Sequence, residues 1–401
     1  MRVMLVADRT SPIARAWGAS LAELEDVEVF WERDKEMGGK GESGLGVLAL
    51  QRPQFGSRAL RTFARLLPHS TFRSGLARSW QLAQLSDRST DVARLARKVQ
   101  PDIVHGLRIP YEGMSCARAL GASPIPLVVS VWGNDFTLHA RESQRVEELT
   151  RETLARADGL HSDCRRDQEL ALELGWDARR PTLVVPGSGG VVAEWFFQSA
   201  ETARDPEFVQ RLGEGPWILN PRGIRAYVDT GAFLGAVPEV LARFPSAVFV
   251  LPGTAGHPLA EAFRRRSVRP DAVHLLPQLS PQGMGKLYRG SEVFVSPSTH
   301  DGTPNTLLEG MACGSYPIVG DVESVREWIR DGMNGTVLRD LRPETVAESV
   351  IRALTRREER RAAAILNSRI VEERADRRTC VRRISEFYSA VVERKRDRGR
   401  S

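Results

Sequence analysis

Short runs of β-branched and apolar residues recur along the whole chain, each followed by a stretch with helical periodicity, and no other pattern restricts the fold as much. Strands buried on both faces read as continuous apolar runs, and their alternation with helices calls for parallel sheets joined by crossover helices. In the first half the strand candidates are residues 3–7, 27–30, 103–105, 127–131 and 182–185. In the second half they are residues 217–219, 247–251, 273–276, 293–295 and 316–319, and after Gly335 the pattern turns helical and heavily charged. At 401 residues the chain exceeds one ordinary core, so two α/β domains are expected. The cluster Pro186-Gly187-Ser188-Gly189-Gly190 marks the boundary. It gives domains at 1–188 and 189–375, with 376–401 as a helix packing back on the first domain and a charged tail. The two domains are expected to face each other across a cleft, where α/β proteins usually hold ligands.

The four cysteines (Cys116, Cys164, Cys313 and Cys380) show neither paired nor metal-type spacing, as expected in a reducing compartment. No apolar run is long enough to span a bilayer, and the opening apolar stretch passes at once into Asp8-Arg9, as a first strand does. A cytoplasmic location follows as the expectation. The net charge of +6, carried largely by arginine, suits anionic partners such as nucleotide phosphates or lipid headgroups. Residues 52–98 concentrate that charge. Leu60, Phe63 and Leu67 share one helical face and Arg58, Arg61 and Arg65 the other, the pattern of a helix lying on an anionic membrane surface or of a plain amphipathic helix.

Two stretches carry chemistry. The first, Ser296-Pro-Ser-Thr-His-Asp-Gly-Thr-Pro-Asn-Thr-Leu-Leu-Glu-Gly-Met-Ala-Cys-Gly314, follows a strand and opens a helix. A helix N-terminus at the end of a parallel strand favours a diphosphate, and the carboxylates of Asp301 and Glu309 can each hold sugar hydroxyls. The plainer alternative makes Asp301 a cap and Glu309 a solvated residue. The second is Leu219-Asn220-Pro221-Arg222-Gly223-Ile224-Arg225. An arginine just past a strand can grip a leaving diphosphate. Near the start, Ser11 opens a helix after the first strand, but no G-x-G-x-x-G accompanies it, so a dinucleotide coenzyme is disfavoured. No Asp-x-Asp occurs, so a metal-chelated donor is not expected either.

The first stretch resembles the donor site of the retaining GT-B glycosyltransferases of glycosyltransferase family 4, which carry Glu, seven residues, a second Glu and then Ala-Met-Ala-x-Gly. Asp301 and Glu309 have that spacing, Glu309-Gly310-Met311-Ala312-Cys313-Gly314 fits the continuation, and the likeness covers most of residues 215–340. The resemblance implies an α/β GT-B architecture of two Rossmann-like parallel-sheet domains, and a metal-independent enzyme with no cofactor. It implies that Glu309 binds the ribose hydroxyls, that Asp301 contacts the transferred sugar, and that Gly302, Thr303, Asn305 and Thr306 lie along sugar and phosphate. Arg222 stands at the position of the family's arginine. The lysine that follows it in the family is replaced by Tyr227 or Val228, with Arg225 as the substitute. Gln278 and Leu279 fall where the family cradles the base, uridine being the first choice and guanosine the second. Ser130-Val131-Trp132-Gly133-Asn134-Asp135 resembles the family's His-Gly-x-Asp motif, with Trp132 in the histidine position and Asp135 retained as a catalytic candidate. Ser11, Trp132, His105 and His139 are the cleft candidates. The implied reaction moves a hexose-type sugar to a glycan, a lipid-linked acceptor or a small molecule, as in bacterial polysaccharide biosynthesis, without nucleic acid. Two alternatives stand beside it: a non-catalytic nucleotide-sugar-binding partner of a transferase complex, and an epimerase or phosphorylase of the same fold.

Overall fold

The structure is a computed structural model and describes residues 1–8, 10–31, 85–197 and 204–398. The stripes formed by Arg58, Arg61 and Arg65 and by Leu60, Phe63 and Leu67 lie outside the described residues. Of the 52–98 segment, the helix Leu85–Val99 falls within them. Among the described residues no helix is long and apolar enough to cross a membrane.

The chain forms two compact units, one of Met1–Gly189 with Val381–Ser401, the other of Gly190–Cys380. The first is built on a six-stranded sheet of β1 (Arg2–Val6), β2 (Glu28–Trp31), β3 (Ile103–Gly106), β4 (Leu127–Val131), β5 (Gly159–Ser162) and β6 (Thr182–Val184), in the order β2-β1-β3-β4-β5-β6. The second holds β7 (Trp217–Leu219), β8 (Val248–Leu251), β9 (Val273–Leu275), β10 (Val293–Ser296), β11 (Tyr316–Gly320) and β12 (Thr336–Leu338), in the order β12-β11-β10-β7-β8-β9. Every strand pair in both sheets is parallel. In each sheet the strand order reverses once, between β1 and β3 in the first and between β7 and β10 in the second, and those are the places where the ends of parallel strands leave a crevice.

Central strands such as β3, β4, β8 and β10 are buried along their whole length, which explains their apolar runs. Two strands differ from the sequence expectation. Residues 336–338 form β12 before the charged helices begin. Strand β5, Gly159-Leu-His-Ser, gives no apolar run, because His161 and Ser162 are polar yet fully buried.

A hydrogen-bonded chain makes the burial of His161 affordable in free energy. Trp17, His105, Ser130, His161 and Tyr388 are all fully buried. The Trp17 indole N–H donates to the Tyr388 hydroxyl (3.3 Å), which donates to His105 Nδ1 (2.6 Å). His105 Nε2–H donates to Ser130 Oγ (2.8 Å), Ser130 to His161 Nδ1 (2.8 Å), and His161 Nε2–H to the Val185 carbonyl (3.0 Å). An indole only donates and a carbonyl only accepts, so with both rings neutral the direction of every link is fixed. Neutrality is what burial enforces: it pushes the His161 ring down to about 4 and holds His105 well below the usual histidine range, with His161 nearby adding to the effect. Tyr388 lies on the helix Arg377–Arg398, whose Val391 and Phe387 press against Gly159, where a β-carbon would come within 2.6 Å of Val391.

Candidate active site

In the second unit the loops after β7 and β10 meet at the point where strand order reverses. After β7, the side chain of Asn220 turns back so that its Oδ1 accepts from the Arg222 N–H (3.1 Å), and this aims Arg222 across the strand ends. Arg222 is 8% exposed. It donates to Thr306 Oγ1 (3.0 Å) and forms an ion pair with Asp301. Asp301 lies in the loop after β10, and Thr306 in the first turn of the helix Asn305–Ala312, whose N-cap position is Pro304.

That loop is held from both sides. The Thr299 N–H donates to the Tyr227 carbonyl (2.9 Å) and the Asp229 N–H to the Pro297 carbonyl (2.8 Å). From the other side the Ser324 hydroxyl faces the carbonyls of Asp301 (2.8 Å) and Gly302 (3.0 Å), and the Trp328 indole donates to Thr303 Oγ1 (3.0 Å). Gly310 lets the helix lie directly on the Phe294 ring, where a β-carbon would approach to 2.5 Å. The helix start is thereby fixed relative to β10.

Glu309 stands one turn into this helix, on the same face as Thr306 and Asn305. Among the described residues no hydrogen bond reaches its carboxylate, and burial pushes that carboxyl up to about 7, with Arg222 pulling the other way. Among the described residues, three polar atoms around the site are buried without a protein partner: Arg222 Nε, Asn220 Nδ2 and Asn305 Oδ1. Buried polar groups are ordinarily paired, so these open donors and acceptor suit a polar ligand.

The structure therefore gathers Arg222, Asp301, Gly302, Thr303, Asn305, Thr306 and Glu309 at one end of one sheet. Thr303 turns its hydroxyl to Trp328 and serves the loop. Arg225 is exposed and holds the Arg222 carbonyl (3.0 Å) and the Tyr227 hydroxyl (3.0 Å). Gln278 and Leu279 follow β9, and the Gln278 carboxamide sits over Gly253 at the end of β8. Asn220, Ser324 and Trp328 carried no role in the sequence reading. Asn220 had one usable signal, a side-chain acceptor directly after a strand and before a proline.

The first unit's candidates fall at the ends of its strands with different surroundings. Ser11 caps the helix Pro12–Leu21, its Oγ accepting from the Ala14 N–H (3.4 Å). Asp135 is buried. It accepts from Arg108 Nε (2.8 Å) and from the Trp132 N–H (3.1 Å). Trp132 lays its indole against Gly187, and its Nε1 is buried without an acceptor among the described residues. His139 bonds Glu142 (2.8 Å) on a partly exposed surface. His105 has both ring nitrogens engaged in the buried chain described above, which leaves none for a ligand. Among the described residues the one grouping of potential metal ligands is Asp163, Cys164 and Asp167, and there Arg166 already donates to Asp167 (2.7 Å).

The burial of Asp135 fixes an expected result. Asp135→Asn should lower the melting temperature by several degrees, because Arg108 loses its buried carboxylate, at a cost of about 2–4 kcal/mol. Thermal unfolding with a parallel activity assay checks it. An unchanged melting temperature with at least about tenfold lower turnover would instead place Asp135 on the substrate.

Residues 10–187 match the family described as Glycosyl transferase 4-like domain, and residues 227–356 match Glycosyl transferases group 1. The chain belongs to the group 1, family-4-like glycosyltransferases. The chain is 30% identical over 128 residues to the phosphatidyl-myo-inositol mannosyltransferase of Mycobacterium tuberculosis, a match covering 30% of this chain and 33% of that protein. It is 25% identical over 272 residues to the GDP-mannose:cellobiosyl-diphosphopolyprenol alpha-mannosyltransferase of Xanthomonas campestris, covering 66% of this chain and 64% of the relative. The chain thus spans about a third of the first relative's length and under two thirds of the second's. The crystal structure of Anabaena HepE in complex with UDP and glucose superimposes with a TM-score of 0.71 at 14% identity, over 97% of this chain and all of that one. At that identity the likeness establishes the fold, GT-B with two parallel-sheet units.

Proposed function

We propose that this glycosyltransferase moves a hexose-type sugar from a nucleotide-sugar donor, held by the second unit, to an acceptor hydroxyl with retention of configuration at the anomeric carbon. The observation that carries the reading is the convergence of Arg222, Asp301, Thr306 and Glu309 around partnerless buried polar atoms where β7 and β10 part.

Arg222 and the backbone N–H groups at the start of the helix Asn305–Ala312 neutralise the diphosphate, so a metal ion is not required. Glu309 accepts hydrogen bonds from the ribose hydroxyls. Asp301 takes the hydroxyls of the transferred sugar once the diphosphate competes for Arg222. The bond from the anomeric carbon to the phosphate oxygen breaks as the bond to the acceptor oxygen forms on the same face. The acceptor's proton passes to the departing phosphate oxygen, which leaves as the nucleoside diphosphate. UDP-sugars are the first choice of donor and GDP-sugars the second. Anabaena HepE was solved with UDP, and the name of the Xanthomonas relative carries GDP-mannose. The acceptor is a glycan, a lipid-linked sugar or a small molecule, and the site of action is the cytoplasm or the inner face of its membrane.

A thermal-shift screen of UDP-glucose, UDP-galactose, UDP-N-acetylglucosamine and GDP-mannose tests the donor. At 100 times its dissociation constant a cognate donor adds about 2.7 kcal/mol of stability. Labelled donor then tests turnover. If no nucleotide sugar stabilises the protein and no label leaves the nucleotide, the reading fails.

A further inference from the structure

After β11 the chain makes a short helical turn, Glu323–Arg326, and then a loop that carries Trp328 before β12. Although it stands in a loop, Trp328 is buried, and the helix Arg357–Ala375 accounts for that. The Trp328 carbonyl accepts from Asn334 Nδ2 (2.9 Å). Asn334 is locked in turn to Asn367 of that helix, its Nδ2 donating to Asn367 Oδ1 (2.8 Å) and Asn367 Nδ2 to the Asn334 carbonyl (2.8 Å). Further along the helix, the Arg374 guanidinium lies over the indole, 4.0 Å from the ring centre, and donates to the Glu327 carbonyl (2.8 Å). The indole is thus fixed through its backbone and through its face. Its N–H, the group an indole has to donate, goes to Thr303 Oγ1 (3.0 Å).

Thr303 is buried and lies in sequence between Asp301 and Thr306, the two residues that Arg222 grips. The Thr306 end has an anchor of its own, because the Tyr288 hydroxyl donates to the Thr306 carbonyl (3.0 Å). At the Asp301 end, Arg222 holds the side chain. The Ser324 hydroxyl, with a single proton, serves the Asp301 or the Gly302 carbonyl but not both at once. A diphosphate that takes over Arg222 removes the hold on the Asp301 side chain, whereas the bond from Trp328 to Thr303 does not involve Arg222 and persists. We propose that Trp328 is a positioning residue that keeps the Asp301 loop in register with the transferred sugar once the donor has drawn Arg222 away. Glu309, assigned above to the ribose, sits in a helix seated separately by Gly310 on Phe294, so the effect of Trp328 falls on the sugar half of the donor. This rests on the transferase reading above and adds to it a residue that acts through Thr303.

Paired titrations test the proposal: the tightest-binding nucleotide sugar of the donor screen against its own nucleoside diphosphate, UDP or GDP. Trp328→Phe keeps a ring beneath Arg374 and loses the N–H, while Thr303→Val loses the acceptor and leaves the indole in place. Each should weaken the nucleotide sugar at least about fivefold and leave the nucleoside diphosphate within about twofold of wild type. The double variant should be no weaker than the single ones, because both remove the same bond. Thr303→Ser, which keeps a hydroxyl, should bind both ligands as wild type does. Variants that merely loosen the second unit would weaken both ligands alike. That outcome, or unchanged nucleotide-sugar affinity in both single variants, overturns the proposal and leaves the transferase reading standing. A wild type that binds neither UDP, GDP nor any of the four nucleotide sugars overturns the two together.

Discussion

Arg222→Ala is expected to lower kcat/KM by about 10²–10³-fold, the effect of removing a preorganised group from a developing charge. Two losses combine. The departing diphosphate loses its guanidinium, and the Asp301 carboxylate, only 15% exposed, loses its partner and then repels the phosphate. A lysine is a point charge and cannot reach Thr306 Oγ1 and Asp301 together as the planar fork does, so Arg222→Lys should recover only part of the loss. The second term has its own signature. Adding Asp301→Asn to Arg222→Ala should restore some donor affinity, a coupling that a double-mutant cycle measures. An Arg222→Ala enzyme within about threefold of wild type would remove the residue from the site.

Donor affinity should also depend on pH through Glu309. In the free protein, burial holds the proton on this carboxyl up to about 7. A carboxylate that accepts two hydroxyl hydrogen bonds must give that proton up, so each pH unit below 7 costs about 1.4 kcal/mol of binding, a factor of about ten. The diphosphate diester of a nucleotide sugar has no group titrating in this range. Affinity should therefore be about tenfold weaker at pH 6 than at pH 8 and level above that, with a proton released on binding at pH 6. Glu309→Gln should flatten the profile and lower its plateau by about 10–100-fold, the worth of a charge-assisted hydrogen bond. In the absence of donor the sign reverses: the second unit gains stability as pH falls from 7 toward the ordinary carboxyl range, and loses it as pH rises through 7. Titration calorimetry in buffers of different ionisation heat reads both affinity and proton release. A wild-type dissociation constant that does not change between pH 6 and 8 would refute the role given to Glu309.

What could be read in the sequence, and what could not, follows from the range of the interactions. Strands such as Leu127–Val131 and Trp217–Leu219 announce themselves because burial on both faces leaves only apolar choices. Strand β5 does not, because His161 is accommodated by a hydrogen-bonded chain that reaches to Tyr388, on the far side of the second unit in sequence. The same chain explains why His105 drew attention as a cleft residue: a histidine at a strand end looks alike whether it faces a ligand or a buried tyrosine. At the candidate site, the strand–loop–helix around Asp301 and Glu309 was legible from local order. The pairing of Arg222 with Asp301 spans 79 residues and the bond from Trp328 to Thr303 spans 25, and no local pattern encodes either.

The membership of residues 381–398 in the first unit bears on how the chain emerges from a ribosome. The second unit is continuous from Gly190 to Cys380, so it can close as soon as that stretch is made. The first cannot. Trp17, His105 and Gly159 wait for Tyr388, Phe387 and Val391, which are translated only after the whole second unit. Vectorial synthesis ordinarily lets the N-terminal domain fold first. Here the order is inverted. The half of the protein that is born first completes its core last, and until then the seat of the helix Arg377–Arg398 stays unfilled.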